Sequence, residues 1–105
     1  MKVFSINGKK IHGISGKMLM VLILMGTKPE HDWTTEDLTG GFSVMFDGMT
    51  YCTREVCNHS KRLVEYGLIK TSRELRGGSL IKLYTLTVTG NRLALQVWNY
   101  ALRKG

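Results

Sequence analysis

Residues 50–86 read TYCTREVCNHSKRLVEYGLIKTSRELRGGSLIKLYTL, and the fold turns on how this stretch changes its period. Across 50–66, Val56, Ser60, Leu63 and Val64 fall at i, i+4, i+7 and i+8, the spacing of one helical face, with small Ser60 allowing a close approach. The other side carries Arg54, Asn58, Lys61, Arg62 and Glu65. Gly67 then stands where a helix ends on a left-handed cap, and Leu68 and Ile69 lead back toward the core. Leu68–Leu75 and Leu80–Leu86 read as two strands around Arg76-Gly77-Gly78-Ser79. With Gly77 and Gly78 as the turn, Leu75 pairs with Leu80, Arg73 with Lys82, Thr71 with Tyr84, and Ile69 with Leu86. Arg73 and Lys82 then lie opposite each other, an arrangement costing about 0.2–1 kcal/mol unless an anion neutralises it. A bulge that shifts the register and separates them is the alternative.

Working outward, Thr87 is placed to cap a last helix over 88–103, with Leu93, Val97 and Tyr100/Ala101 along one side and Trp98 at its edge. Toward the N-terminus, Ser15 caps an apolar helix containing Met18 to Met25 (MLMVLILM), stopped by Gly26 and Lys28-Pro29. A membrane span needs roughly 20 apolar residues, so this run is expected to be a buried helix, wrapped by its neighbours or by a second subunit. Thr34 followed by Glu36 and Asp37 starts another helix, expected to stop at Gly40-Gly41. Phe42, Val44 and Phe46 alternate between glycines, as in a short strand or a packed loop. Asn7-Gly8, between VFSI and KKIHGI, marks an N-terminal hairpin or an arm with a turn over 1–14. The expected fold class is therefore α+β, a single domain over 1–105: three helices, a β-hairpin and a C-terminal helix.

The stretches RLVEYGLI (Arg62 to Ile69) and YTLTVTGNRLAL (Tyr84 to Leu95) carry a resemblance. The first resembles the end of the recognition helix and start of the wing in winged helix-turn-helix regulators. The second is similar to the second wing strand and following helix of MarR- and PadR-type proteins. Over about residues 15–95 the resemblance implies a winged helix-turn-helix that binds double-stranded DNA and regulates transcription, commonly as a dimer; the last helix, with Leu93, Val97, Trp98 and Tyr100, is the expected dimer contact, and its packing against the chain's own first helix is the alternative. Two departures stand out. About ten residues (Gly40 to Met49) separate the second and third helices, where most members keep a short turn. The acidic stretch from Glu30 to Asp37 would face phosphates in many complexes. No Cys-x-Cys metal site of the ArsR type is present.

Charge and chemistry agree with a polyanionic partner. The 105 residues carry a net charge of +7, distributed as +5 over 1–29, −5 over 30–53 and +7 over 54–105. A basic excess concentrated in one half favours nucleic acid, with a merely solvated basic surface as the bland alternative. In a major groove Arg bridges guanine O6 and N7, and Asn pairs with adenine N6 and N7. Thr53, Arg54 and Asn58, near the helix start, are thus the candidates for base edges. Lys61 and Arg62 are the candidates for phosphates, and Arg73, Arg76 and Lys82 of the hairpin for phosphates or the adjacent minor groove. Glu55 is read as a helix-start acid rather than a partner of cytosine N4, and His59 as a partly packed side chain. His12 and His31 fall in apparent loops.

Enzyme readings lack their parts: no Gly-rich phosphate loop followed by Lys, no nucleophile elbow, and no carboxylate pair with a His partner. Cys52 and Cys57 are expected to be small half-buried side chains, too far round a helix to pair, and with His59 they do not match a zinc spacing. No cofactor, metal or catalytic residue is assigned. MKVFSINGKK has no continuous apolar core, so no secretory leader is expected and the chain is placed in the cytoplasm. The alternative function is a winged-helix interaction module that modulates another regulator without binding DNA, meeting its protein partner through the acidic segment 30–47. RNA or single-stranded DNA is disfavoured by the few exposed aromatics available for stacking.

Overall fold

The computed structural model describes residues 4–6, 9–11 and 14–104, with side-chain surroundings for 14–99. Strands β1 (Phe4–Ile6) and β2 (Lys9–Ile11) pair antiparallel, Phe4 opposite Ile11. Asn7-Gly8 between them, His12, and the side chains of Tyr100 and Ala101 lie outside the described residues. Helix α1 (Gly16–Gly26) starts at Ser15, whose hydroxyl accepts from the Met18 N–H. Its Met18, Val21, Leu22, Leu24 and Met25 are buried. The chain's own elements supply the wrapping: α2 (Thr35–Met45) on one side and α4 (Val88–Lys104) on another. A Cβ on Gly26 would lie 3.2 Å from the Ala94 Cβ, so the α1–α4 contact is close there.

Helix α2 departs from the expected pattern. It does not stop at Gly40-Gly41 but runs on to Met45, so residues 42–45 are helical rather than strand or loop. Two glycines cost a helix about 1 kcal/mol each, and tertiary contacts outweigh that here. A Cβ on Gly41 would come within 3.3 Å of Leu24 Cδ1, and the next residue, Phe42, is wholly buried. A reciprocal capping box fixes the start, with Asp37 N–H donating to Thr34 Oγ1 at 3.0 Å and Thr34 N–H to Asp37 Oδ2 at 3.1 Å. The Thr34 contact holds the Asp37 carboxyl below the usual carboxylate range. The supposed ten-residue insertion over 40–49 thus shrinks to a connection over 46–52.

Helix α3 (Thr53–Glu65) begins three residues later than its sequence pattern predicts. Tyr51 is drawn into the core, stacked on Phe42 with ring centroids 4.7 Å apart, and Cys52 after it is extended and stands as the N-cap. Val56, Ser60 and Leu63 face the core as expected, but Val64 is 42% exposed and lies outside that face. Strands β3 (Ile69–Arg76) and β4 (Ser79–Leu86) form the hairpin. Gly77 and Gly78 both have positive φ, and no bulge disturbs the pairing. Arg73 faces Lys82, Leu75 faces Leu80, Thr71 faces Tyr84 and Ile69 faces Leu86. Trp33 adds a one-residue third strand: its N–H and C=O exchange hydrogen bonds of 2.8 Å with Tyr84.

The corner joining α3, β3 and α4 is tightly made. Thr87 donates from its N–H to the Leu68 carbonyl at 3.1 Å and from its hydroxyl to the Gly67 carbonyl at 2.6 Å, while that hydroxyl accepts the Gly90 N–H at 3.0 Å. A Cβ on Gly90 would overlap the Leu68 carbonyl, so only glycine fits there. The architecture is the α+β winged helix-turn-helix: three helices, a hairpin wing and a C-terminal helix. Among the described residues, no helix is long and apolar enough to cross a membrane.

Candidate nucleic-acid interface

Helix α3 is held by its core face and its two ends. Arg54, Asn58 and Lys61, at i, i+4 and i+7, form an exposed stripe opposite Val56, Ser60 and Leu63. Glu65 ends the stripe, Thr53 and Cys57 flank it on one side, and Arg62 flanks it on the other. All eight residues singled out in the sequence (Thr53, Arg54, Asn58, Lys61, Arg62, Arg73, Arg76 and Lys82) are exposed.

The hairpin divides the three cations singled out in its sequence between its two faces. Strand alternation puts Arg73 and Lys82 on the face that also bears Thr71 and Tyr84, with Arg76 on the other face beside Glu74. Between α3 and that first face lies a cavity of about 300 Å³ lined by Ser60, Lys61, Val64, Glu65, Thr71 and Lys82. Lys61 of the helix and Lys82 of the wing therefore border one concavity, and Arg73 shares the latter's strand face. The Lys82 ammonium lies 5.4 Å from the Tyr84 ring centroid, where the ring's negative face offsets part of its repulsion from Arg73. Arg76 is engaged differently: its Nε donates to Glu74 Oε2 at 2.6 Å, a half-exposed ion pair. Leu75 and Leu80, paired at the tip, are 69% and 63% exposed.

Lys17, which the sequence pattern did not single out, ties down the start of α3. Lys17, from the first turn of α1, donates to Glu55 Oε2 at 2.8 Å and to the Thr50 carbonyl at 2.9 Å. Glu55 also accepts the Cys52 N–H at 3.2 Å, and Lys17 is the chief reason its carboxyl ionises below the usual range. Glu55 is thus engaged at the helix start, in line with its reading as a helix-start acid. No local pattern could have revealed a partner 38 residues away. His59 is half-buried, its Nδ1 2.9 Å from the Tyr51 hydroxyl, and burial lowers its pKa.

Cys52 and Cys57 are both exposed and free, not half-buried as their size suggested, since the core side of α3 is taken by Val56 and Ser60. No group of three His, Cys, Asp or Glu side chains among the described residues is placed to hold a metal ion. On the acidic side, Asp32 accepts from the Thr85 hydroxyl at 2.6 Å, and Asp37 lies 3.5 Å from His31 Nε2. Glu30 and Glu36 are exposed.

Solved structures share this fold. The crystal structure of smu.1704 from Streptococcus mutans UA159 superposes with a TM-score of 0.64 at 19% identity, covering 89% of this chain and 85% of that one. A possible transcriptional regulator from Methanosarcina mazei Go1 gives a TM-score of 0.59 at 15% identity, covering 98% of this chain and 92% of that one. The likeness is one of fold. No protein-family model matches the chain, and no curated protein matches it by sequence.

Proposed function

We propose that the chain is a sequence-specific double-stranded DNA-binding protein of the MarR/PadR-like winged-helix type, acting in the cytoplasm as a single-domain transcriptional regulator rather than an enzyme. The observation that carries this reading is the exposed Arg54–Asn58–Lys61 stripe of α3 beside the Arg73–Lys82 face of the wing. An α-helix with its side chains is about 10–12 Å across, and the major groove is about 12 Å wide. Arg54 and Asn58, near the N-terminal end of α3, meet base edges; Thr53 contributes from the first turn. Lys61, Arg62, Arg73 and Lys82 neutralise phosphates. Arg76, already paired with Glu74, adds a smaller share at the wing tip. The fold shared with a possible transcriptional regulator supports the same reading.

A homodimer through α4 fits this function, because a twofold protein matches a palindromic site. Leu93 is wholly buried and Val97 packs against the chain's own core, so that side of α4 is taken up within the chain; Leu95 and Trp98, 53% and 45% exposed, border an apolar groove of about 320 Å³ that also includes Ile23 and Met45. The acidic segment 30–47 is the surface a protein partner would use if the chain modulated another regulator instead.

The test is fluorescence anisotropy of the full chain with a labelled random-sequence duplex across several salt concentrations. Roughly six phosphate contacts predict a steep loss of affinity as salt rises. Lys82→Gln lowers the slope of log affinity against log salt by about 0.9. No binding at low salt transfers the function to the interaction-module reading.

A further inference from the structure

The outer half of the hairpin stands clear of the body. Every residue of β3 from Lys70 to Arg76 is exposed, as are Ser79, Leu80 and Lys82 of β4. Near its end Leu75 and Leu80 face each other across the pairing, both largely exposed, so burial in this chain's core does not account for them. Beyond them come only Arg76, Ser79 and the turn glycines Gly77 and Gly78, which bring no side chain to the tip. The Arg76 side chain is drawn back to Glu74 on the opposite face, Nε to Oε2 at 2.6 Å. A protruding tip therefore ends in a pair of exposed leucines.

What surrounds the pair narrows the choice of partner. Alternation puts Leu75 and Leu80 on the face that carries Arg73 and Lys82, which stand two residues, or about 7 Å, further back along the strands. None of the strand residues on that face is acidic; Glu74 is on the other. The same face, through Thr71 and Lys82, borders the concavity beside α3. A partner for this tip thus presents anionic groups set back from an apolar interior. A duplex does so, with phosphates along the groove edges and sugars and stacked bases as its walls and floor.

We propose that the wing tip enters the minor groove next to the major groove occupied by α3, and that Leu75 and Leu80 act there as an apolar wedge that opens a base step and bends the duplex. The width of the pair requires the deformation. Directly opposed Cβ atoms stand about 4.5–5.5 Å apart. With a carbon contact distance of about 3.5–4.0 Å, the two side chains span about 8–9.5 Å, against a minor groove about 6 Å wide. Apolar side chains inserted in this way unstack a step and bend the duplex toward its major groove, here around α3. Unstacking costs least at pyrimidine–purine steps such as TA and most in stiff A-tracts, so the wedge supplies a sequence preference at positions that α3 does not touch. The wedge rests on the DNA-binding reading and adds to it a deformation of the duplex and a specificity that no base-edge hydrogen bond carries.

The experiment uses the full chain with two duplexes of equal length and identical A·T content, one of alternating TA steps and one an uninterrupted A-tract. Each carries a donor and an acceptor dye at its ends. Wild type should raise energy transfer in the alternating duplex and bind it several-fold more tightly than the A-tract. Leu75→Ser/Leu80→Ser should remove most of the bend and of that preference while leaving the slope of log affinity against log salt unchanged, because no charge is lost. Both leucines are exposed, so the urea midpoint of this variant should match that of wild type. Leu75→Met/Leu80→Met, which keeps the apolar volume, should keep the bend. Helix α3 is the same in all three proteins, so its own reading of the two duplexes cancels in the comparison. If wild type and Lys82→Gln behave as the DNA-binding reading requires but the serine variant bends and discriminates like wild type, or wild type leaves the duplex straight, the wedge is overturned and the reading survives. If wild type binds neither duplex at low salt, both fall.

Discussion

Helix α1 buries five side chains of its eleven residues, whereas α3, two residues longer, buries three. The first is apolar almost all round and is enclosed by α2 and α4. The second packs through Val56, Ser60 and Leu63, and its position is set largely by its ends: Lys17, Glu55 and Tyr51 at the start, Gly67 and Thr87 at the finish. One helix supplies burial and the other supplies surface. Anchoring a helix by its termini frees a whole face for a partner, and in α3 that face is Arg54, Asn58 and Lys61.

Substitutions that affect only one of the two helices test this division most sharply. Leu22, fully buried in α1, should lose about 2–5 kcal/mol of stability as Leu22→Ala, read as a shift in the urea midpoint. Arg54→Ala in α3 should leave that midpoint within about 0.5 kcal/mol. Its effect appears instead in binding, as a loss of about 1–3 kcal/mol on the preferred duplex with relaxed sequence preference. A large stability loss at Arg54 would break the comparison.

Smaller effects sharpen it. Lys17→Met removes the tie between α1 and the start of α3. The Lys17–Glu55 pair is about a third exposed on both sides, so stability should fall by only about 0.2–1 kcal/mol. Duplex affinity should fall more than that if the first turn of α3 is held in place from α1.

The weakest expected effect is in pH. The folded protein lowers the pKa of His59 below its ordinary 6.5, chiefly by burial, so the unfolded chain takes up that proton first. Stability from this group is present above pH 6.5 and declines as the pH falls through the window between the unfolded and folded values. Thermal melts of wild type and His59→Gln should converge toward low pH, with the variant losing less on acidification.

What was legible in the sequence follows the same division. Periodicity and turn chemistry are local, so the α3 face, the Gly67 cap, the Gly77-Gly78 register, and the Ser15 and Thr34 caps could all be read directly. Gly40-Gly41 misled because a helix propensity is a local quantity, and the close approach of Gly41 to Leu24 and the burial of Phe42 are not. Val64 fits the helical spacing of the core face, but Val56, Ser60 and Leu63 already fill the contact. The helical pattern runs three residues ahead of the start of α3 because Tyr51 stacks on Phe42, nine residues back. At the interface, the exposed cations could be named from residue type and period. The Lys17–Glu55 tie, the Tyr51–His59 contact and the Trp33–Tyr84 bridge join distant residues through tertiary packing and left no local signature.

The most direct test of the account is a residue-resolved one: amide and side-chain chemical shifts of the full chain, recorded as duplex DNA is added at low salt. The account predicts the largest changes at Arg54, Asn58 and Lys61 of α3 and at Arg73 and Lys82 of the wing, with the buried face of α1 unmoved. Changes confined to the acidic segment 30–47 or to α4, or no change at all, would contradict it.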